Sequence, residues 1–185
     1  MNIFILDERP LWAAQMYCDK HLPKMCVELL QQMGSALRRH GATDEMMPLT
    51  QKGTPLKGGY PNHPCTRWVG DSRANFQWAA DHAIGLCLQF KARYGKGIKD
   101  HFCRTGIEKM YDMADMIPDG ELTPFAQAMP DEYKNDDAVK AYRDYYHYKA
   151  TIMPVEWNRN TPPEWFDMDT WQAPTKPTTI LDLIP

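Results

Sequence analysis

The chain has 185 residues, of which 43% are hydrophobic and 24% are charged, and its formal net charge is −3. This length suits one domain with a proper core, with or without an extended tail. The absence of any run of eighteen apolar residues argues against a membrane span, and the opening MNIFILDERP is too short and too acidic for a signal peptide, so we expect a cytoplasmic protein with no membrane partner.

The cysteine and histidine spacings predict neither disulfides nor a metal site. The five cysteines are odd in number and include no C-x-x-C pair, which argues against a disulfide framework and a thiolate zinc site. Asp19, His21, His63 and His101 would be the residues for another metal site, but no H-x-x-x-H or H-E-x-x-H spacing is present. Phosphate-loop, dinucleotide and serine-hydrolase motifs are also missing, so we expect no metal and no cofactor.

Charge is divided unevenly along the chain. Residues 1–110 hold 15 Lys and Arg against 10 Asp and Glu, a net charge of +5, whereas residues 111–185 hold 6 against 14, a net charge of −8. Nucleic-acid binding depends on the local field of one face, so the negative total does not exclude it.

The N-terminal part predicts a strand followed by helices. Residues 2–6 (NIFIL) form a short apolar run that is typical of a strand. Helical periodicity begins at Leu11 and is interrupted near Pro23, which kinks the helix or starts a new one. A clearer helix is predicted over residues 22–39, where apolar residues recur at three- and four-residue steps before Gly41.

The middle of the chain predicts a long loop and then the longest helix. Residues 42–59 have no periodicity, and the segment YPNHP that follows holds two prolines that display an amide and an imidazole between them. The helical pattern from Phe76 to Tyr94 then ends at Gly95.

The C-terminal part predicts shorter helices and an extended tail. Residues 98–116 suggest one or two helices broken at Thr105-Gly106, and a last helix is predicted from Asn135 or Asp136 to about Ile152. Beyond Pro154, prolines and tryptophans alternate with polar residues, which predicts aromatic rings lying on the domain or on a partner. The fold class is therefore mainly α, a single helical domain over residues 1–153 with a short N-terminal strand and an extended Pro/Trp-rich tail over residues 154–185.

The first cluster of candidate site residues lies around the second helix. His21, Lys24 and Glu28 share one helical face, and Asp19 and Lys20 directly precede it. An imidazole, an amine and a carboxylate in one pocket suit catalysis, with Glu28 as acid or base and Lys24 as a nucleophilic amine or a phosphate clamp. The alternative is a solvated face with an ordinary Lys24–Glu28 ion pair.

The second cluster surrounds the YPNHP loop and contains Asn62, His63, Arg67, Arg73 and Asn75. Two arginines on adjoining turns predict a phosphate-sized anion site beside the amide and imidazole. The alternative is that Asn62 or His63 caps a helix or satisfies loop backbone.

The third cluster follows the longest helix. Its cations alternate with Tyr94 and Phe102, a pattern that allows base stacking beside phosphate contacts, although a basic run is more often a solvated face. The basic residues are Arg93, Lys96, Lys99, His101 and Arg104, and we take Lys96 and Lys99 as candidate substrate-binding residues.

Several motifs together resemble a family of phage proteins. They are the opening MNIF-L, A-x-x-x-x-DKH-x-x-KM-x-x-E-x-x-Q from Ala14 to Gln31, NHPC from Asn62 to Cys65, S-R-x-N-x-x-W from Ser72 to Trp78, RYGK from Arg93 to Lys96, and LTPF-x-x-AMPDEY from Leu122 to Tyr133. More distantly, the layout is similar to the pyrimidine-dimer DNA glycosylases of the endonuclease V type. That resemblance implies a DNA-processing enzyme that flips a nucleotide and attacks the sugar C1′ with an amine while a carboxylate assists.

Three functional hypotheses follow. The first is a DNA glycosylase/lyase in an infected host cell, with Lys24, Glu28, His63 and His21 as catalytic residues and DNA or a nucleotide as partner. The second is a phage protein that binds and inhibits a host protein through the acidic segment and its tryptophans. The third is a small-nucleotide enzyme that uses the same pocket.

Overall fold

The computed structural model describes residues 2–174, and the elements within that range are helical. The α-helices are α1 (Pro10–Gln15), α2 (Leu22–Arg39), α3 (Pro64–Val69), α4 (Arg73–Arg93), α5 (Arg104–Tyr111) and α6 (Ala138–Ile152), and two 3₁₀ turns occupy Ala114–Met116 and Asp131–Tyr133. The mainly α fold class is therefore confirmed. The last residues of the predicted tail, 175–185, lie outside the described range.

The helix α4 is the central element of the core, since it contacts α1, α2, α3, α5 and the first 3₁₀ turn. It begins at Ser72, whose hydroxyl accepts from the Asn75 N–H at 3.1 Å, as a helix N-cap does. Near its C-terminal end the Tyr94 hydroxyl donates to the Asp19 carbonyl at 2.7 Å, while near its start Arg39 pairs with Asp71. Hence α2 and α4 run antiparallel.

The predicted strand over residues 2–6 is wrong for the described chain, although its burial is as expected. Ile3, Phe4, Ile5 and Leu6 are all in the core, but none of them belongs to a sheet ladder within residues 2–174. Side chains replace the missing strand partner. The Tyr17 hydroxyl accepts from Phe4 N–H at 2.9 Å and donates to Phe4 C=O at 3.0 Å, so one phenol satisfies both backbone groups.

Helix boundaries differ from the prediction at three places. The first helix already ends at Gln15, and Pro23 lies in the first turn of a new helix, where its missing N–H costs nothing. The prediction missed α3, which begins with Pro64 at its first position. The predicted break at Thr105-Gly106 is wrong, because α5 continues through Gly106, which approaches the side chain of Leu30.

The predicted last helix is confirmed as α6, and the following segment packs against it. Asp137 caps α6 by accepting from Lys140 N–H at 3.0 Å. Trp157 donates from its indole nitrogen to the Met16 carbonyl at 3.1 Å, and the Trp171 ring stacks on His147 with centroids 5.3 Å apart. The tryptophan rings of this segment thus lie on the chain's own domain.

Candidate functional site

The loop over residues 58–63 lies directly against α2. The Ser35 hydroxyl donates to the Gly59 carbonyl at 2.9 Å, and the Gly59 N–H donates to the Gln31 carbonyl at 3.2 Å. Gly58 has a positive φ of 83°, and a Cβ there would overlap the backbone and hydroxyl of Ser35. Glycine at this position is therefore required for the close approach of the loop to the helix.

Glu28 is the buried carboxylate on the α2 face near this loop. Only 8% of the residue is exposed, and its Oε2 accepts from the Asn2 N–H at 3.2 Å. Its Oε1 lies 3.0 Å from Lys24 Nζ, one helical turn away, and the Lys24 side chain is 69% exposed. The buried carboxylate of Glu28 is thus in contact with the accessible amine of Lys24.

His63 directly precedes α3. Its Nδ1 accepts from Cys65 N–H at 3.2 Å, so it is the N-cap of α3, as one of the two interpretations of the sequence expected. Burial lowers the pKa of the half-buried His63 ring, and the negative charge of Glu28 acts in the opposite direction. Since its pKa is lowered from the ordinary 6.5, the ring is neutral at pH 7.

A basic cleft of about 680 Å³ continues from this loop along α2 and α3. Its lining includes the exposed side chains of Asn62 and Arg67 but contains no carboxylate among the described residues. The four cations in the lining are Arg38, Arg39, Lys57 and Arg67. Two carboxylates flank them, because Asp44 pairs with Arg38 at 2.7 Å and Asp71 pairs with Arg39 at 2.9 Å. Four cations against two anions leave a surface that suits phosphate groups.

Tyr60 is a functional candidate that the sequence reasoning passed over. It lies at the start of the proline-bracketed segment, 67% of it is exposed, and its φ is +50°. Left-handed backbone is uncommon for a bulky residue and tends to occur where the surroundings hold a loop in a functional shape. An exposed aromatic ring beside a basic cleft is the arrangement that stacks on nucleic-acid bases. The signal in the sequence was the tyrosine directly after two glycines.

His21 does not reach the cleft. Its Nδ1 lies 2.9 Å from the Tyr146 hydroxyl, and its ring stacks on Phe4 with centroids 5.0 Å apart. Burial, followed by the positive charges of Lys149, Lys24 and Lys20, lowers the pKa of His21 to about 4. The ring is therefore a neutral member of the core that fixes the start of α2.

Asp19 and Lys20 lie at the opposite end of α2 from the cleft. The Asp19 carboxylate accepts from Arg159 N–H at 3.0 Å and lies 3.6 Å from Arg93, so it ties α4 to the C-terminal segment. Lys20 is exposed next to it, with Tyr94 and Glu156 around the same small depression.

Arg73 and Asn75 are used within the protein at the start of α4. Asn75 is fully buried, donates to the Trp68 carbonyl and the Thr123 hydroxyl at 2.9 and 2.8 Å, and accepts from the Thr123 N–H. Arg73 lies 3.4 Å from Asp115. The structure gives both side chains protein partners and places neither in the lining of the basic cleft.

Lys96 and Lys99 follow the C-terminal end of α4. Both are exposed, and Lys96 has a φ of +51° in the turn that ends the helix. Because a helix of this length spans about 30 Å at 1.5 Å per residue, they are remote from the start of α4 and from the neighbouring cleft. The predicted third basic cluster is thus separate from the second.

The structure assembles one group of metal-ligand side chains that the sequence argued against. Among the described residues, the group consists of Cys26, Cys87 and His101, whose ligand atoms lie within 4.8 Å of one another. No spacing rule finds it, since its members come from three separate elements. His21 and His63, by contrast, are not part of this cluster.

Comparison of the chain with family models, with curated proteins and with solved structures gave no match. Within residues 2–174, no helix has both the length and the apolar character that crossing a bilayer requires.

Proposed function

We propose that the protein is a DNA-processing enzyme of the glycosylase/lyase class, with its reaction centre at Lys24 and Glu28. The observation that carries this proposal is the contact of the buried Glu28 carboxylate with the accessible Lys24 amine, on the same helix whose C-terminal end lines a basic cleft. Phosphates of the DNA backbone bind along the cleft, where no carboxylate of the described chain lines the wall.

The contact between Lys24 and Glu28 supports the amine step. Glu28 Oε1, 3.0 Å from Lys24 Nζ, is within reach of the proton that the amine loses on attacking the sugar C1′. A new C1′–N bond forms while the bond from C1′ to the base breaks, and the base leaves with the bonding electrons and takes up a proton. The C1′–O4′ bond of the sugar then breaks as the nitrogen lone pair forms the C=N bond, and O4′ takes up a proton, which leaves a protonated imine between protein and DNA.

Two further residues support binding of an extruded nucleotide. The exposed ring of Tyr60 offers a stacking surface, and Asn62 contributes an amide to the cleft lining. His63, whose pKa burial lowers, is neutral at pH 7 and serves as a hydrogen-bonding group that positions the sugar or base.

The host-protein hypothesis receives less support from the same structure. Trp157 and Trp171 pack on Met16 and His147 of the chain's own domain, so the expected aromatic contact surface is already used internally. Of the features that suggested binding to a host protein, only the acidic residues of the C-terminal part still support that hypothesis.

Trapping of the imine with borohydride tests the proposed function. Ultraviolet-irradiated duplex DNA incubated with the protein and borohydride is expected to give a covalent protein–DNA adduct on a denaturing gel. Lys24→Arg keeps the positive charge but loses the nucleophilic amine, so the adduct is expected to disappear. Lys20→Arg, at an exposed lysine of the same chain segment, is the matched control and is expected to retain it.

The opposite results have distinct meanings. Absence of an adduct from the wild-type protein, although the DNA is bound, would contradict glycosylase/lyase chemistry on ultraviolet lesions. An adduct that is equally abundant in Lys24→Arg would show that another amine attacks the sugar.

A further inference from the structure

Three side chains that favour soft metal ions meet inside the core, away from the basic cleft. Cys26 lies on α2, Cys87 on α4 and His101 just before α5, and their exposures are 0%, 0% and 5%. Their ligand atoms all lie within 4.8 Å of one another. Three elements that are remote in sequence therefore direct sulfur and nitrogen atoms to one buried point.

The separation of these atoms is close to what a tetrahedral zinc site requires. Zinc binds cysteine sulfur at about 2.3 Å and histidine nitrogen at about 2.0 Å, so neighbouring ligand atoms in a tetrahedron are roughly 3.5 Å apart. Small side-chain rotations would close the observed group around an ion.

Cys103 is the fourth group at this place. It is buried, it lies two residues beyond His101, and its backbone N–H donates to the His101 Nδ1 at 3.2 Å. Its thiol belongs to a residue of the same short segment as His101, at the residue before α5. Two of the chain's five cysteines thus meet one imidazole and a third lies two residues from it, whereas Cys18 and Cys65 lie elsewhere in the core.

Burial alone does not account for this composition. Isolated buried cysteines act as small hydrophobic groups, but here two buried thiols and a buried imidazole share one place. The His101 ring packs against Phe90 and Phe102, and three thiolates with one imidazole form one of the common structural zinc sets.

We propose that Cys26, Cys87, His101 and Cys103 bind a structural zinc ion that joins α2, α4 and the start of α5. Binding releases the thiol protons to solvent as the sulfur–metal bonds form. His101 binds through the lone pair of one ring nitrogen, and its hydrogen bond from Cys103 N–H is exchanged for the metal bond. Cys26 and Glu28 are two positions apart and lie on different faces of α2, so this site is independent of the proposed reaction centre.

Metal content and cobalt substitution test the site without any assay of activity. Protein expressed in zinc-supplemented medium and desalted is expected to hold about one zinc per chain by elemental analysis. Replacement by Co²⁺ is expected to give the intense visible bands of tetrahedral cobalt and a thiolate-to-metal charge-transfer band. Cys87→Ser is expected to lose most of the zinc and these bands, whereas Cys18→Ala, which alters a buried cysteine outside the cluster, is expected to keep both.

Three results would overturn the proposal, and the first two are measured on the wild-type protein. One is less than a tenth of an equivalent of zinc, with no tetrahedral cobalt spectrum. Another is a disulfide between Cys26 and Cys87, seen when two of the five thiols become titratable only after reduction of the denatured protein. Equal zinc content in Cys87→Ser and the wild type would also place the metal elsewhere.

Discussion

At the scale of single residues, His63 combines a structural and a proposed functional role, and the two can be separated. Its Nδ1 caps α3, and the negative charge of Glu28 acts on the pKa of its ring. Asparagine is a good N-cap but has no imidazole, whereas alanine can supply neither.

We therefore expect His63→Asn to keep the free energy of unfolding in urea within about 0.5 kcal/mol of the wild type. His63→Ala is expected to lose about 1 kcal/mol through the missing cap. Both variants are expected to lose at least tenfold in cleavage of irradiated DNA. Full cleavage activity in His63→Asn would show that His63 only caps α3 and has no role in cleavage.

The buried histidines predict that the protein loses stability in mild acid. Burial is the main cause that lowers the pKa of His21 and of His82 from the ordinary 6.5 to about 4. At pH values between the folded pKa of about 4 and the unfolded pKa of 6.5, the unfolded chain binds more protons than the folded one. The free energy of unfolding therefore falls as the pH decreases from about 6.5 to about 4.

Each histidine is expected to contribute up to about 3 kcal/mol to this loss, at 1.36 kcal/mol per pKa unit. Urea unfolding measured at several pH values checks the prediction. His21→Gln is expected to flatten the curve, because glutamine has no proton to bind. An unfolding free energy that is constant over this range would contradict the burial of neutral rings.

At the scale of elements, the sequence predicted helices well where several local signals agreed. The helix α2 has an apolar stripe, terminal cations and a glycine, and its predicted bounds of 22–39 coincide with Leu22–Arg39. The signals for α4 and α6 were similar, although the Ser72 cap of α4 was not predicted and the cap of α6 is Asp137 instead of Asn135 or Asp136. Local periodicity decides such elements because each helix forms its own backbone hydrogen bonds.

The failures have a common cause in tertiary contacts. An apolar run such as residues 2–6 is typical of a strand, but a strand forms only if another segment pairs with it. Here the Tyr17 hydroxyl forms hydrogen bonds with the backbone of Phe4 in place of a second strand. Gly106 was read as a helix break, although its small size serves the approach of Leu30 to α5. Neither alternative is visible in local sequence.

The contact between the YPNHP loop and α2 predicts a difference between two glycine substitutions. Gly58 and Gly53 have similar positive φ values of 83° and 74°, but only Gly58 lies against Ser35, whereas nothing is within 4 Å of a Cβ at Gly53. Gly53→Ala thus measures backbone strain alone, which costs roughly 1 to 2 kcal/mol.

Gly58→Ala is expected to lose about 1 to 3 kcal/mol more than Gly53→Ala, because the new Cβ must displace the loop or the helix. Thermal or urea unfolding of the two variants gives the comparison. The loop displacement is also expected to weaken DNA binding in Gly58→Ala only. Equal stability of the two variants would contradict the close approach.

At the scale of the whole molecule, the sequence predicted the charged groups but not their arrangement. Its +5 N-terminal part contains both the cleft cations and the remote lysines at the end of α4. Folding brings Arg38, Arg39, Lys57 and Arg67 to one cleft and leaves Lys96 and Lys99 at a distance. The sequence could not predict this grouping of cations, because it depends on the path of the irregular loop that connects the cleft residues between positions 35 and 67.

This arrangement predicts which lysines and arginines govern binding to DNA. Lys57→Gln with Arg67→Gln removes two cleft cations, so the slope of log K against log salt is expected to fall in magnitude by about 1.8. Lys96→Gln with Lys99→Gln makes the same change of charge and is expected to leave the slope within about 0.5 of the wild type. Fluorescence anisotropy of a labelled duplex at several salt concentrations measures both slopes. A larger fall in slope for Lys96→Gln with Lys99→Gln than for Lys57→Gln with Arg67→Gln would show that DNA binds at the end of α4 instead.

The central claim is that the buried carboxylate Glu28 acts chemically on DNA. A duplex with one pyrimidine dimer and an end label tests it most directly, with cleavage under single-turnover conditions and affinity measured on the same samples. Glu28→Gln is expected to bind within about twofold of the wild type but to cleave at least about a hundredfold more slowly, which is the range for losing a general acid or base. The control Glu164→Gln, at an exposed position, is expected to cleave normally. Cleavage by Glu28→Gln at the wild-type rate would contradict the account.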